Sequence, residues 1–165
     1  MTFAPRTWVV GEVVSAALMN QELRDQFNSF FGAWSSYTPT WTASTTNPVL
    51  GNGTIVGRYI KVGRMVFGHI NLIMGSTTTY GSGSYNWTLP VASANAGANF
   101  IGTCQFLGTD RWPGTAVLAG NATTVSAFFN ITNANTRVDF MNATRPETIA
   151  SGHQVRITFF YEAAS

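Results

Sequence analysis

The stretch TIVGRYIKVGRMVFGHINLIM, residues 54–74, predicts a β-hairpin and thereby the class of the fold. Gly63-Arg64 suits a two-residue hairpin turn, because glycine readily adopts the positive φ that such turns need at a central position. Side chains alternate between the two faces of a strand, and one face of the second strand is almost wholly apolar. That face, which we expect in the core, carries Val66, Gly68, Ile70, Leu72 and Met74.

Similar alternating segments continue along the rest of the chain. Strands are predicted at 54–62, 65–74, 85–89, 98–107, 115–118, 123–131, 137–141 and 154–162, separated by turns rich in Gly, Ser, Thr and Asn. Residues 37–42 are also expected to be extended, because Pro39 disfavours a helix and Thr, Tyr and Trp favour strands. Short strands at this spacing are typical of antiparallel folds. The sequence therefore predicts a mainly β protein with an antiparallel β-sandwich or jelly-roll head.

One helix is predicted before the strands, over residues 15–34, SAALMNQELRDQFNSFFGAW. Ser15 can cap its start, and Gly32 can end it. Four apolar side chains at spacings of three and four form one stripe, in the manner of a short coiled coil. These residues are Leu23, Phe27, Phe30 and Trp34. The helix alone leaves two interpretations open: the stripe packs on the β domain that follows, or it meets copies of itself as an oligomerisation seam.

Residues 1–14 are predicted to form an extended arm that leads into the helix. The arm contains Trp8, Val9 and Val10, three apolar residues that need a surface to bury against. That surface is another subunit, a docking site on a larger particle, or the helix of the same chain. We take these three residues as candidate docking residues.

Composition excludes several classes of protein. Only 10% of the 165 residues are charged, well below the roughly 25% of an average soluble domain, and this composition is common in extracellular and particle-bound β proteins. The basic residues are scattered, and only Arg58, Lys61 and Arg64 lie close together, so we expect no nucleic-acid binding. No apolar run approaches the ~20 residues of a membrane-spanning helix, and no signal peptide is evident, so we expect no membrane insertion. The single cysteine, Cys104, excludes an intrachain disulfide.

The residue pattern offers little for catalysis. The two histidines, His69 and His153, have no metal-ligand spacing to other His, Asp or Glu residues. Glycoside hydrolysis requires paired carboxylates, and no pattern links any two of the candidates in the β region. Those candidates are Asp110, Asp139, Glu147 and Glu162. We expect no enzymatic activity, no cofactor and no metal site.

Aromatic residues in or beside the loops are candidates for recognition of a surface. Aromatic rings stack on sugars and on protein surfaces, and Tyr80 and Trp112 are placed to do so. Trp87 alternates with Tyr85 and Leu89 in a strand pattern, so we expect it in the core or in a subunit interface.

Several segments resemble a family of phage proteins. Residues 8–25, WVVGEVVSAALMNQELRD, resemble a leader found in virion proteins of tailed phages that infect actinobacteria, with the form W-x-x-G-E-V-V-[TS]-A-x-x-x-N-x-x-x-R-D. Four further segments are similar to the C-terminal β domain of minor tail proteins and fibres from those phages: YTPTWT (37–42), NPVLGNGT (47–54), GRY (57–59) and MGSTTTYGSG (74–83). The end of the chain, ASGH (150–153) to YEAA (161–164), is similar to the closing segment of that family, with His153 where aspartate is usual.

This resemblance implies a non-enzymatic structural or adhesive virion protein, a homotrimeric fibre or knob of the minor tail protein type. Residues 1–36 would attach to other virion proteins and oligomerise, and residues 37–165 would form a β head that contacts a glycan or protein on the host cell. The alternative is a capsid decoration (cement) protein or a head fibre. Since the predicted strands suffice to enclose a core, and the related proteins assemble in threes, the self-associating seam becomes the preferred interpretation of the helix.

Overall fold

The computed structural model, which describes residues 6–132 and 135–164, contains one helix followed by ten strands. The helix runs without a break through an α segment, Ala16–Met19, a π segment, Asn20–Asp25, and a second α segment, Gln26–Phe31. The strands are β1 Ser35–Tyr37, β2 Trp41–Ala43, β3 Thr54–Val62, β4 Met65–Ile73, β5 Tyr85–Thr88, β6 Phe100–Leu107, β7 Arg111–Leu118, β8 Thr124–Thr132, β9 Asn135–Phe140 and β10 Gln154–Glu162. The predicted mainly β class is confirmed.

The helix begins where the sequence predicts, and it ends at Phe31, three residues before the predicted end at Trp34. The Ser15 hydroxyl accepts a hydrogen bond from the Leu18 amide at 3.2 Å, which caps the first turn. Gly32 takes an extended conformation and ends the second α segment.

The strands form a single antiparallel sheet, in the order β1-β3-β4-β10-β6-β7-β8-β5-β2, with β9 paired to β8. β1 and β2 lie at opposite ends of this path, yet only residues 38–40 separate them in the chain. So short a connection spans at most about 14 Å, whereas nine strands laid flat would extend roughly 38 Å. The sheet must therefore curl until its two ends come close together. Because the strands follow one continuous path, the predicted sandwich or jelly roll is not confirmed.

The predicted hairpin is confirmed in β3 and β4. Val62 pairs with Met65 across the turn, and Gly63 has a φ of +58°, which glycine adopts without steric cost. The face of β4 expected in the core is buried throughout, from Val66 to Met74. The alternation in the sequence thus identified the correct face.

β10 lies between β4 and β6 and pairs with both. Its inward residues Val155, Ile157, Phe159 and Tyr161 are buried in the core. Tyr85 and Trp87 of β5, near the far end of the strand order, are also buried. Trp41 of the neighbouring β2 packs edge-on against Tyr85, with 5.1 Å between ring centres. The expectation that Trp87 lies in the core or in an interface is resolved in favour of the core.

β7 differs most from its predicted bounds, since it begins at Arg111 and not at residue 115. Pro113 makes a strand unexpected there, because proline lacks the amide donor of a sheet. β8 pairs with β7 only over Thr115–Val117, so Pro113 lies where β7 has one neighbour, a position at which proline is tolerated.

The close packing of Gly68 against β10 can be tested by substitution. A Cβ at this position would lie 2.5 Å from the Phe159 ring, so we expect Gly68→Ala to lower the free energy of unfolding, by about 1–3 kcal/mol in urea titrations. Gly120→Ala is the matched control, because its Cβ would meet only ordinary contacts, at 3.4 Å or more. Adding Phe159→Leu should make the Gly68→Ala cost smaller than in the wild-type background; a stable Gly68→Ala variant would contradict this packing.

Candidate interaction surface

The helix presents an apolar stripe that its own chain does not bury. Leu23, Phe27 and Phe30 are between 46% and 58% exposed. With Glu22 and Gln26 they line a groove of about 260 Å³ on the side of the helix. The structure therefore brings three of the four predicted seam residues together on a surface open to another molecule.

The π segment changes how this stripe relates to a coiled coil. A π turn holds more residues than an α turn, so it shifts the angular position of the side chains before it relative to those after it. Leu23 lies within the π segment, and Phe27 and Phe30 lie in the α segment that follows. The helix thus departs from a regular heptad geometry, and the coiled-coil seam stays a prediction.

Trp34 lies outside the helix, because the helix ends at Phe31. Its ring packs edge-on against Phe67 at 5.6 Å and lies 5.4 Å from the ring of His69. Both partners are on the outer face of β4, and Arg58 of β3 donates a hydrogen bond to the Trp34 carbonyl at 3.4 Å. The prediction that Trp34 continues the helical stripe is therefore corrected: Trp34 fixes the end of the helix to the sheet.

The sheet begins just before the predicted division at residue 36, which itself stays a prediction. β1 begins at Ser35, and Ser35 and Ser36 pair with Tyr59 and Arg58 of β3. Residues 35 and 36 thus belong to the sheet, whereas the predicted division places them with the helix.

The candidate docking residues Trp8, Val9 and Val10 are all exposed. The Arg6 guanidinium lies 5.3 Å from the Trp8 ring centre and forms an ion pair with Glu12. The Glu12 amide donates to the Val9 carbonyl at 3.1 Å, and Gly11 has a φ of +85°, so this part of the predicted extended arm contains a turn. Residues 1–5 of the arm lie outside the described residues, and docking by the arm stays a prediction.

The two candidate recognition residues, Tyr80 and Trp112, are half-buried and pack against the hydrophobic core. The Tyr80 carbonyl accepts a hydrogen bond from the Tyr85 hydroxyl at 2.6 Å. The Trp112 indole donates to Glu147 Oε2 at 2.8 Å. Each residue is thus anchored by a different part of the fold, and only the remaining exposed part of each ring is open to a ligand.

Glu147 organises a polar cluster that the sequence pattern does not reveal. Its carboxylate accepts hydrogen bonds from the Trp112 indole and, at 2.7 Å, from the Thr109 amide, and it lies 3.8 Å from His153 Nδ1. Burial alone would raise the pKa of Glu147, but the hydrogen bonds from Trp112, Thr109 and Asp110, with the nearby His153, lower it below its ordinary value. The cluster joins the loop before β7 to the loop before β10.

Asp139 and Glu162, two of the other three candidate carboxylates, also have structural partners. Asp139 pairs with Arg145 at 2.9 Å, and Glu162 pairs with Arg64 at 3.0 Å. Within residues 6–132 and 135–164, no group of three or more His, Cys, Asp or Glu side chains is placed to hold a metal ion. Cys104 is buried, and burial raises the pKa of its thiol to about 12.

Among residues 6–132 and 135–164, no helix has the length and apolar character that a membrane crossing requires.

The chain is similar to a protein of Haemophilus influenzae described as a Mu-like prophage FluMu defective tail fiber protein. The two are 30% identical over 132 residues, which is 78% of this chain and 20% of that protein. The chain thus spans about a fifth of the length of this curated relative. No family model matches the chain, and no solved structure matches it.

The Glu147 cluster predicts a pH-dependent contribution to stability. A lowered folded-state pKa stabilises the fold above the ordinary carboxyl value of 4.5, and this contribution is lost as the pH falls through the folded-state pKa. We expect Glu147→Gln to lower the free energy of unfolding at pH 7 by about 1–3 kcal/mol. The variant should also lose less stability than the wild type on acidification below about pH 4.5.

Denaturant titrations at a series of pH values measure both effects. Asp25→Asn is the control, because its carboxylate pairs with the adjacent Arg24 outside the groove, and it should change stability by less than about 0.5 kcal/mol. Equal acid sensitivity of the wild type and Glu147→Gln would show that Glu147 does not supply this contribution.

Proposed function

We propose that this chain is a non-enzymatic structural part of a phage tail fibre, carried on the virion. The observation that carries the proposal is the similarity to a tail fibre protein over 78% of the chain. This similarity favours the tail over the capsid decoration and head-fibre alternatives. The leader motif is the basis for assigning the chain to phages of actinobacteria, and synthesis in the host cytoplasm follows from a phage origin.

The helix forms the oligomerisation segment of this fibre. Leu23, Phe27 and Phe30 expose about half of their surface, and burial of apolar side chains between copies would remove that area from water. Three copies assemble along a common axis, as in the related fibres. Trp34 lies beyond this segment, where the helix meets the sheet, with its ring on the outer face of β4.

The N-terminal part of the chain and the β head have different functions in this proposal. The arm and helix, residues 1–36, attach the protein to other virion proteins through Trp8, Val9 and Val10, which are exposed. The β head, residues 37–165, faces outward and contacts a glycan or protein of the host surface. Tyr80 and Trp112 are its recognition residues, because each keeps part of an aromatic ring accessible while a hydrogen bond holds the residue in place.

Removal of the two helical phenylalanines tests the trimer. The wild type should scatter light with three times the 17.8 kDa chain mass at micromolar concentration. We expect Phe27→Ser with Phe30→Ser to lower this mass while the β circular dichroism spectrum is kept, because the sheet encloses its core without the helix.

Arg24→Ser with Asn28→Ser is the matched control, since both residues are exposed and lie outside the stripe. A wild type that stays monomeric would contradict the trimer. Loss of the sheet together with the trimer would show that the helix belongs to the domain core.

Imaging of virions tests the location. Gold-labelled antibodies against the purified chain should mark the tail, and labelling of the capsid shell would contradict the proposal in favour of a decoration protein.

A further inference from the structure

A row of apolar side chains crosses the outer face of the sheet. Ile60 of β3 pairs with Phe67 of β4, and Phe67 pairs with Phe160 of β10. The paired region of β10 and β6 ends at Thr158 and Thr103. If the same register is continued for two more residues, Phe160 lies beside Ile101. Four adjacent strands therefore carry an apolar residue at the same level, and we call Ile60, Phe67, Phe160 and Ile101 the outer row.

Three of the four residues of the outer row are exposed, and Ile60 is half-buried. Phe67, Phe160 and Ile101 are between 43% and 63% exposed, whereas Val66 and Phe159 are almost fully buried. The next level of the same face is polar, with His69, Thr158 and Thr103. On its other side the row continues into Val62 and Met65, so the apolar patch has a polar border on one side. A single exposed phenylalanine is ordinary, but a contiguous exposed apolar patch is typical of an interface.

The outer row is continuous with the helix through Trp34. The Trp34 ring packs on Phe67, so the helical stripe and the row meet at one junction. With about 200 Å² per large side chain, the exposed parts of Leu23, Phe27 and Phe30 amount to roughly 300 Å². A stable interface buries about 800 Å² on each partner, so the stripe alone supplies less than half. The exposed parts of Phe67, Phe160 and Ile101 in the outer row, calculated in the same way, add roughly another 300 Å².

The charges beside the row suit a second copy of the same chain. Arg64 and Glu162 form an ion pair at 3.0 Å, and both remain substantially exposed. They border a shallow cavity of about 370 Å³ whose other lining residues include Val62, Met65 and Phe160. In a three-fold assembly each copy presents both charges, so Arg64 of one copy can meet Glu162 of the next.

We propose that the outer row is an interface between heads, buried against a second copy of this chain as the continuation of the helical seam. The inference rests on the trimer proposed above. In that trimer the helices meet on the axis, and Trp34 places the row next to the end of the bundle, so the rows of neighbouring copies face each other. The heads therefore contact one another directly and are not joined through the helices alone.

Cross-linking of the full-length chain tests this contact. Phe160→Cys, treated with a short bismaleimide, should give a band of twice the chain mass on a denaturing gel. Arg156→Cys is the matched control, because it lies on the same face of the same strand, about 13 Å away. The natural Cys104 is buried and supplies the background in both variants. Equal cross-linking of the two variants, or none in Phe160→Cys, would overturn the inference.

A charge in the row separates this inference from the trimer itself. Phe160→Lys should shift dissociation of the oligomer to at least tenfold higher protein concentration in light scattering, with an unchanged β spectrum. A wild-type trimer that Phe160→Lys leaves fully intact would overturn the head interface while the helical trimer stands. A wild type that is monomeric would overturn both.

Discussion

β10 is hydrogen-bonded along both of its edges, to β4 over its whole length and to β6 over its first half, and the continuity of the sheet depends on this double pairing. The strand joins the β3–β4 hairpin to the β6–β7–β8 part of the path. Its inward side chains from Val155 to Tyr161 fill the core, and the Tyr161 hydroxyl donates to the Val91 carbonyl at 2.6 Å. Because the last strand occupies a central place, the head can complete its core only after nearly the whole chain is in position.

The curled sheet encloses its own apolar interior, and this has a consequence for the helix. Buried residues in the described parts of the chain come from the strands and their loops, while Leu23, Phe27 and Phe30 stay exposed. The exposed parts of these side chains are available for contacts between chains. The helical stripe and the outer row both belong to this second group, and Trp34 connects them.

Polar contacts at the loops, unlike the exposed apolar side chains, join parts of the same chain. Glu147 holds Trp112 and the Thr109 amide, and Asp139 holds Arg145. These carboxylates fix loops to one another, so their chemistry is satisfied within the fold. Trp112 is held in this way by Glu147, whereas Tyr80 is held through its carbonyl by the Tyr85 hydroxyl.

The sequence by itself determined the elements that depend on neighbouring residues. The hairpin turn at Gly63, the buried face of β4, the bounds of β3 and β10, and the Ser15 cap all follow from local periodicity and turn chemistry. Only the tertiary structure decided which strands pair, because the register of β10 between β4 and β6 depends on side chains more than forty residues apart in the chain. The same holds for Trp34, whose place on Phe67 ends the helical stripe early, and for Glu147, which meets Trp112 across 35 residues of chain. Such contacts depend on packing between segments that are far apart in the sequence, so no local sequence pattern predicts them.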